Sequence, residues 1–409
     1  MSELTEPSRK EPKGLLIGGI AAGVAGVMAD LLSPIYATSF HRGFGLSNTQ
    51  AGFLVTAALA MMAVAEFGLA HSIARRNLKV VATIGIAISS VSLLYVSEVS
   101  DNGFWSLFAG MLGLGLGCGL SFVAGNAALA YANNSERAFS LLTLWYMLFV
   151  FVMMSTNPFL RQIYPIVIPY AAMVVVQLVC LVLIWRFLPD TRLIGAQRTA
   201  AAHADAAVRA PTDLEPLSMF SPLPLLLGMA VTLSQLAVAG LWTFAQEMGT
   251  NSGLSPEATA SFLGVSQLIG LLGTMAPWLL GRWVGRAALG ATGFLLAGLG
   301  ILVVALIHQP GAYIAGNLAI NLGYWVTLPL ALSTAADLDR NSGRLVAFML
   351  GMSSVGLAIG PSLAGPLLGG QDTTVGGWVF GTIGLLAVPL IIAPALAADR
   401  AVHARRFVG

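Results

Sequence analysis

The chain has 409 residues, of which 57% are hydrophobic and only 9% charged, with a formal net charge of +2. With a mean hydropathy of +0.83, this excludes one soluble domain, since a single water-facing surface cannot hide so much apolar area. A small positive charge scattered over loops also excludes a nucleic-acid groove and fits basic anchoring near anionic lipid.

About 20 apolar residues cross a hydrocarbon layer about 30 Å thick, and long continuous apolar runs satisfy their backbone in lipid as helices. The sequence therefore predicts an all-α membrane protein with twelve transmembrane helices. They cover 14–40, 48–72, 80–99, 104–130, 138–160, 166–188, 221–247, 257–280, 287–308, 312–335, 344–369 and 376–397. The first run exceeds the ~7–15 residue core of a signal peptide and is read as a membrane helix. Cys118 and Cys180 fall inside predicted helices, with no metal-ligand spacing and no disulfide framework. The run Gly113, Gly115, Gly117, Gly119 lacks the spacing and preceding strand of a nucleotide loop. It supplies two small-residue faces for close helix approach instead. Between the sixth and seventh helices, 189–220 mixes Asp190, Arg192, Arg198, His203, Asp205, Arg209, Asp213 and Glu215 with small residues. It reads as a linker with a short surface helix over 196–210.

Eighteen of the twenty Lys and Arg residues fall in the tails and alternate connections of this ladder, and only Arg42 and Arg161 fall in the others. Basic loops stay in the cytosol, so both termini and the central loop are expected inside the cell, in a multi-pass protein of the inner or plasma membrane. The expected divisions are a cytosolic tail (1–13), a six-helix bundle (14–188), a cytosolic linker (189–220), a second bundle (221–397) and a second tail (398–409).

The halves repeat one another. Asn134-Ser135-Glu136-Arg137 recurs as Asn341-Ser342-Gly343-Arg344, and Arg75 recurs as Arg282, both at an offset of 207. Gly45-Leu46-Ser47 recurs as Gly253-Leu254-Ser255 at 208. Three matches in order at nearly constant offset indicate a tandem duplication, and two pseudo-symmetric bundles.

Six plus six helices, parallel repeats and short basic loops resemble the major facilitator superfamily of secondary transporters. The family's loop signature after the second helix is partly kept. Phe67, His71 and Ser72 replace its Gly, Asp and first Arg, while Ala74-Arg75-Arg76 matches its end. The second copy, Gly281 to Arg286, is similarly worn. Gly356-x-x-x-Gly360-Pro361 and Gly365-Pro366 resemble the antiporter motif of the fifth helix, but stand in the eleventh and predict a pliable or kinked helix. The resemblance implies alternating access around a cavity lined by the first, fourth, seventh and tenth helices, in a monomer.

Asp30 lies 16 residues into the first helix, roughly 24 Å from its cytosolic end at 1.5 Å per residue. A carboxylate at that depth must pair or keep its proton, which suits a proton-coupling group; the alternative is a carboxylate satisfied by a neighbouring helix. Glu66 lies about 9 Å from the cytosolic end of the second helix. It is expected to join proton coupling or to meet His71, Arg75 or Arg76 in a cytosolic gate, with Arg282 and Arg286 as counterparts. Glu98, Glu247 and Asp337 are placed at helix ends near water. On the tenth helix Asn317, Asn321 and Tyr324 share one face. With Gln235, Trp242, Gln267, Trp325, Trp145 and Asn157 they form the expected substrate-binding set. Interhelical hydrogen bonding is the competing explanation for the amides.

No nucleophile-base pair, metal cluster or phosphate loop stands out, so an enzyme is not expected. The leading expectation is proton-coupled uptake of a small organic solute, driven by the proton gradient without a cofactor, with lipid as the surrounding partner. Proton-antiport efflux of amphipathic compounds is the alternative. A non-transporting sensor or scaffold with the same fold is the alternative of another class.

Overall fold

A computed structural model describes residues 13–70, 72–73, 76–98, 103–132, 135–164, 166–190, 218–338 and 344–406. Most of the linker and the tail 1–12 lie outside them, as do His71 and Arg75. Eleven helices among the described residues are long and apolar enough to cross a membrane. The first predicted helix is instead built from four short pieces: α1 (Lys13–Gly26), α2 (Met28–Leu31), α3 (Ser33–Thr38) and a π-helical turn, Ser39–Gly43. The break has a local cause. Pro34 has no N–H to return to the Asp30 carbonyl four residues back, so the ladder opens beside the carboxylate. Tyr36 N–H returns at 3.3 Å to the carbonyl of Leu32, at the link between α2 and α3.

The remaining elements are α4 (Asn48–Ala70), α5 (Leu78–Glu98), α6 (Phe104–Ala130), α7 (Ser135–Ile163) and α8 (Val167–Phe187). In the second half they are α9 (Pro222–Asn251), α10 (Pro256–Val284), α11 (Arg286–Leu306), α12 (Pro310–Leu338), α13 (Arg344–Leu368) and α14 (Thr374–Arg406). Several outrun the expected ends; α9 continues to Asn251 and α12 to Leu338.

Within the first bundle α1 packs on α6 and α8, and α6 also on α4 and α5. In the second, α9 packs on α13 and α14, and α11 on α12 and α14. The glycines of α6 make both of its faces close. A Cβ at Gly115 or Gly119 would strike the backbone of Ala58 or Met62 on α4, and one at Gly113 or Gly117 would strike Ser92 or Gly85 and Ser89 on α5. The bundles meet along two seams, α4 with α13 and α7 with α10, which the repeat interchanges, while α3 meets α9 between them.

Gly45 and Gly253, equivalent in the repeat, both take positive φ (68° and 90°) in matching turns. Only glycine reaches that region without steric cost, which is why the Gly-Leu-Ser pattern survives in both halves. Exposed Trp105 and Trp378 start α6 and α14 at one end of the bundles, while exposed Trp185 and Trp283 close α8 and α10 at the other. Such aromatic girdles mark the two levels at which a bilayer ends.

Candidate functional site

Where α2 breaks off, the chain borders a cavity between the bundles with about 30 Å³ of room for water centres, enough for one or two waters. Asp30, Trp242, Gln267, Asn317, Asn321, Tyr324 and Trp325 line it, with Leu31, Val238 and Ile320 supplying apolar wall. Seven residues expected from sequence thus converge on one space drawn from α2, α9, α10 and α12.

The amides are held by one another. Gln267 Nε2 donates to Asn321 Oδ1 at 2.9 Å, and Asn321 Nδ2 donates to the Asn317 carbonyl at 3.0 Å. Asn317 Nδ2 in turn donates to the Tyr313 carbonyl at 2.9 Å. The i, i+4 spacing on α12 is what lets each amide bond the carbonyl one turn back. This network fixes the amide orientations. The Asp30 carboxylate has no ion-pair or hydrogen-bond partner among the described residues. The indole N–H of Trp325 is buried without an acceptor.

Gln235 sits about a turn from the lining residues of α9 and donates to Ser353 Oγ at 2.7 Å, leaving its Oε1 buried and unpartnered. Trp145 is exposed on α7, away from the cavity lining. Asn157, also on α7, is buried with neither amide atom bonded and does not line the cavity either. Glu66 accepts from Ser354 Oγ at 3.1 Å across the α4–α13 seam. Of the expected gating set, His71 and Arg75 lie outside the described residues, as does the side chain of Arg282; Arg76 is exposed. Arg286 pairs with Asp337 at 2.5 Å and lies 3.9 Å from Asp399, both in its own half of the chain.

The cavity is shut on the side where α3 meets α9. Trp242 Nε1 donates to the Leu31 carbonyl at 3.2 Å, while Ser33 Oγ lies 3.4 Å from Thr243 Oγ1 and Gln246 Oε1 lies 3.2 Å from Thr38 Oγ1. Arg42 Nη2 donates to Thr250 Oγ1 at 3.2 Å, and His41 lies 3.3 Å from Glu247. On the other side α1 packs chiefly on α6 and α8 of its own bundle. Sequence reasoning put Glu247 at a wet helix end. The helix runs one further turn, and the residue is 9% exposed. No local pattern announces the pair it makes with His41; only superposing the repeats brings the two segments together.

Two related bundles of membrane-length helices, with a broken helix carrying a carboxylate into the cavity between them, define a membrane carrier. The chain belongs to the Major Facilitator Superfamily, whose family model matches residues 18–361. Its fold is shared by the crystal structure of a D-xylose-proton symporter, with TM-score 0.70 and 15% identity over 92% of this chain and 95% of that one. It is shared as well by a mutant form of a peptide transporter, POT, at TM-score 0.70 and 15% identity over 97% and 96%. At such identity the likeness is one of fold. No curated protein matches the chain in sequence. Family membership makes it a secondary transporter rather than an enzyme.

Proposed function

We propose that the chain takes up a small organic solute with protons, by alternating access around the Asp30 cavity, in the cell membrane with both termini cytosolic. The observation that carries this reading is the carboxylate itself. Asp30 stands at a helix break inside the membrane, faces a cavity and has no cationic partner among the described residues. An ionised carboxylate there is costly, so its charge state follows its access to water. That couples proton occupancy to the side on which the cavity opens. With the termini inside, the sealed α3–α9 side faces out, and the conformation is closed to the exterior.

Asn317, Asn321, Gln267 and Tyr324 orient the solute, and Trp242 and Trp325 provide its apolar walls. Among the described residues no Lys or Arg lines the cavity, so a neutral, weakly acidic or cationic molecule suits it better than a compact polyanion. Proteoliposomes carrying Asp30→Asn are expected to lose pH-driven accumulation and keep substrate exchange at equilibrium. Accumulation that persists would remove Asp30 from coupling.

A further inference from the structure

His41 occupies the π-helical turn, and its ring meets two acceptors. Nδ1 lies 2.9 Å from the carbonyl oxygen of Leu46; a carbonyl only accepts, so Nδ1 carries a hydrogen. Nε2 lies 3.3 Å from Oε1 of Glu247. With Nδ1 protonated, a neutral ring would set the partial negative charge of Nε2 beside the carboxylate, a repulsive arrangement. The contact is attractive only when the pair holds one further proton. That proton sits either on the ring, giving imidazolium against carboxylate, or on the Glu247 oxygen that faces Nε2. Both forms hold the same number of protons.

We propose that His41 and Glu247 form a proton-binding site across the seam between the bundles, filled when this end is closed. It deepens the carrier reading and rests on it for the side from which the proton arrives. The charged and titratable surroundings link occupancy to closure. Arg42, on the same turn, repels a second positive charge at His41 and also acts on Glu247. Arg161 of α7 faces Arg42 and interacts with Tyr170 of α8. Tyr313 of α12 is committed to the Ala245 carbonyl at 2.8 Å. Among the described residues Glu247 is thus the one anion in this setting, and it belongs to the opposite bundle. Parting α3 from α9 leaves His41 beside Arg42 alone, and the proton is released. By linkage, the state that binds the proton is favoured as pH falls: acid on this side favours closure and alkali favours opening.

Spin labels at Gln50→Cys and Ala258→Cys, both exposed and 208 positions apart, report the opening in nanodiscs by double electron-electron resonance, with Cys118 and Cys180 replaced by Ala. The closed-to-open ratio is expected to fall as pH rises, by at most about tenfold per pH unit for one linked proton. His41→Gln and Glu247→Gln each keep a neutral contact without a titrating proton, and each is expected to flatten the response. A flat response in the labelled parent, or an undiminished one in either variant, overturns the proposal. Asp30 is itself linked to access, so Asp30→Asn is expected to change the response only by its own share and to keep the share that His41→Gln and Glu247→Gln remove. Disappearance of the whole response there assigns the proton to Asp30 and overturns this site while leaving the carrier reading intact. An intact response without substrate-dependent proton flux sinks the carrier reading and leaves this site standing. Nitrogen-15 chemical shifts of the His41 ring in the unsubstituted protein test it independently, since a bare, unbonded Nε2 in the closed state overturns it.

Discussion

Thr38 Oγ1 lies 3.2 Å from Gln246 Oε1, and the two residues are separated by 208 positions, the offset between the Gly-Leu-Ser turns of the halves. Arg42 and Thr250 bond across the same offset. Residues related by a two-fold rotation touch only beside the axis of that rotation. The α3–α9 contact therefore lies on the pseudo-symmetry axis, where a small rocking of one bundle against the other must pull it apart.

From this follows a locking experiment. Thr38→Cys with Gln246→Cys, joined by a short thiol-reactive cross-linker, is expected to abolish turnover, and reductive cleavage of the linker to restore it. Each single variant treated alike should retain transport. Full transport in the cross-linked protein would show that this contact does not open during the cycle.

Trp325 offers a cleaner probe of substrate contact than the amides, which hold one another in place. Its buried N–H has no acceptor, so Trp325→Phe removes an unsatisfied donor and should leave thermal stability within about 1 kcal/mol. If the solute accepts from that N–H, affinity falls by roughly five- to thirtyfold, equivalent to about 1–2 kcal/mol. Unchanged affinity in a binding titration would remove the indole nitrogen from the site.

Gly115 meets the backbone of Ala58, which cannot step aside as a flexible side chain can. Gly115→Val should therefore lower stability by about 1–3 kcal/mol or more, as overpacking does. Gly68, with open space where a Cβ would point, should accept Ala without loss and gain up to about 1 kcal/mol from the better helical propensity. Thermal unfolding in detergent compares them. Equal melting temperatures for Gly115→Val and the parent would refute close packing of α4 on α6.

The fold was legible because lipid makes it so: uninterrupted apolar length sets the spans, and the Gly-Leu-Ser and basic-loop repeats set the duplication. Asp30 and the Asn317–Asn321–Tyr324 face were legible because a polar group deep in an apolar run has few places to go. Trp145 shows the limit. An aromatic in a membrane helix satisfies lipid and cavity equally well, and periodicity does not say which side it faces. His41 and Glu247 were missed for a different reason, since each looks like an ordinary polar residue near a helix end until the two halves are brought together. The Glu66–Ser354 bond likewise depends on the α4–α13 seam, which no pattern within either helix encodes.

Arg286 has two carboxylate neighbours, Asp337 on α12 and Asp399 on α14, and Asp399 Oδ2 also accepts from the Arg286 backbone N–H at 3.1 Å. All three lie in the second bundle, so this cluster ties helices within one rocking unit. Arg286→Met would take the shared cation away from two carboxylate charges in a half-buried setting and should cost up to about 3 kcal/mol, short of the loss for a fully buried pair. Adding Asp337→Asn removes one of those charges and should recover part of it. Arg286→Lys keeps the charge but not the planar fork, and should fall between. Thermal unfolding of the three variants sets the order. Were Arg286 a gate between bundles instead, Arg286→Met would shift the Gln50–Ala258 label distance while leaving the melting temperature unchanged.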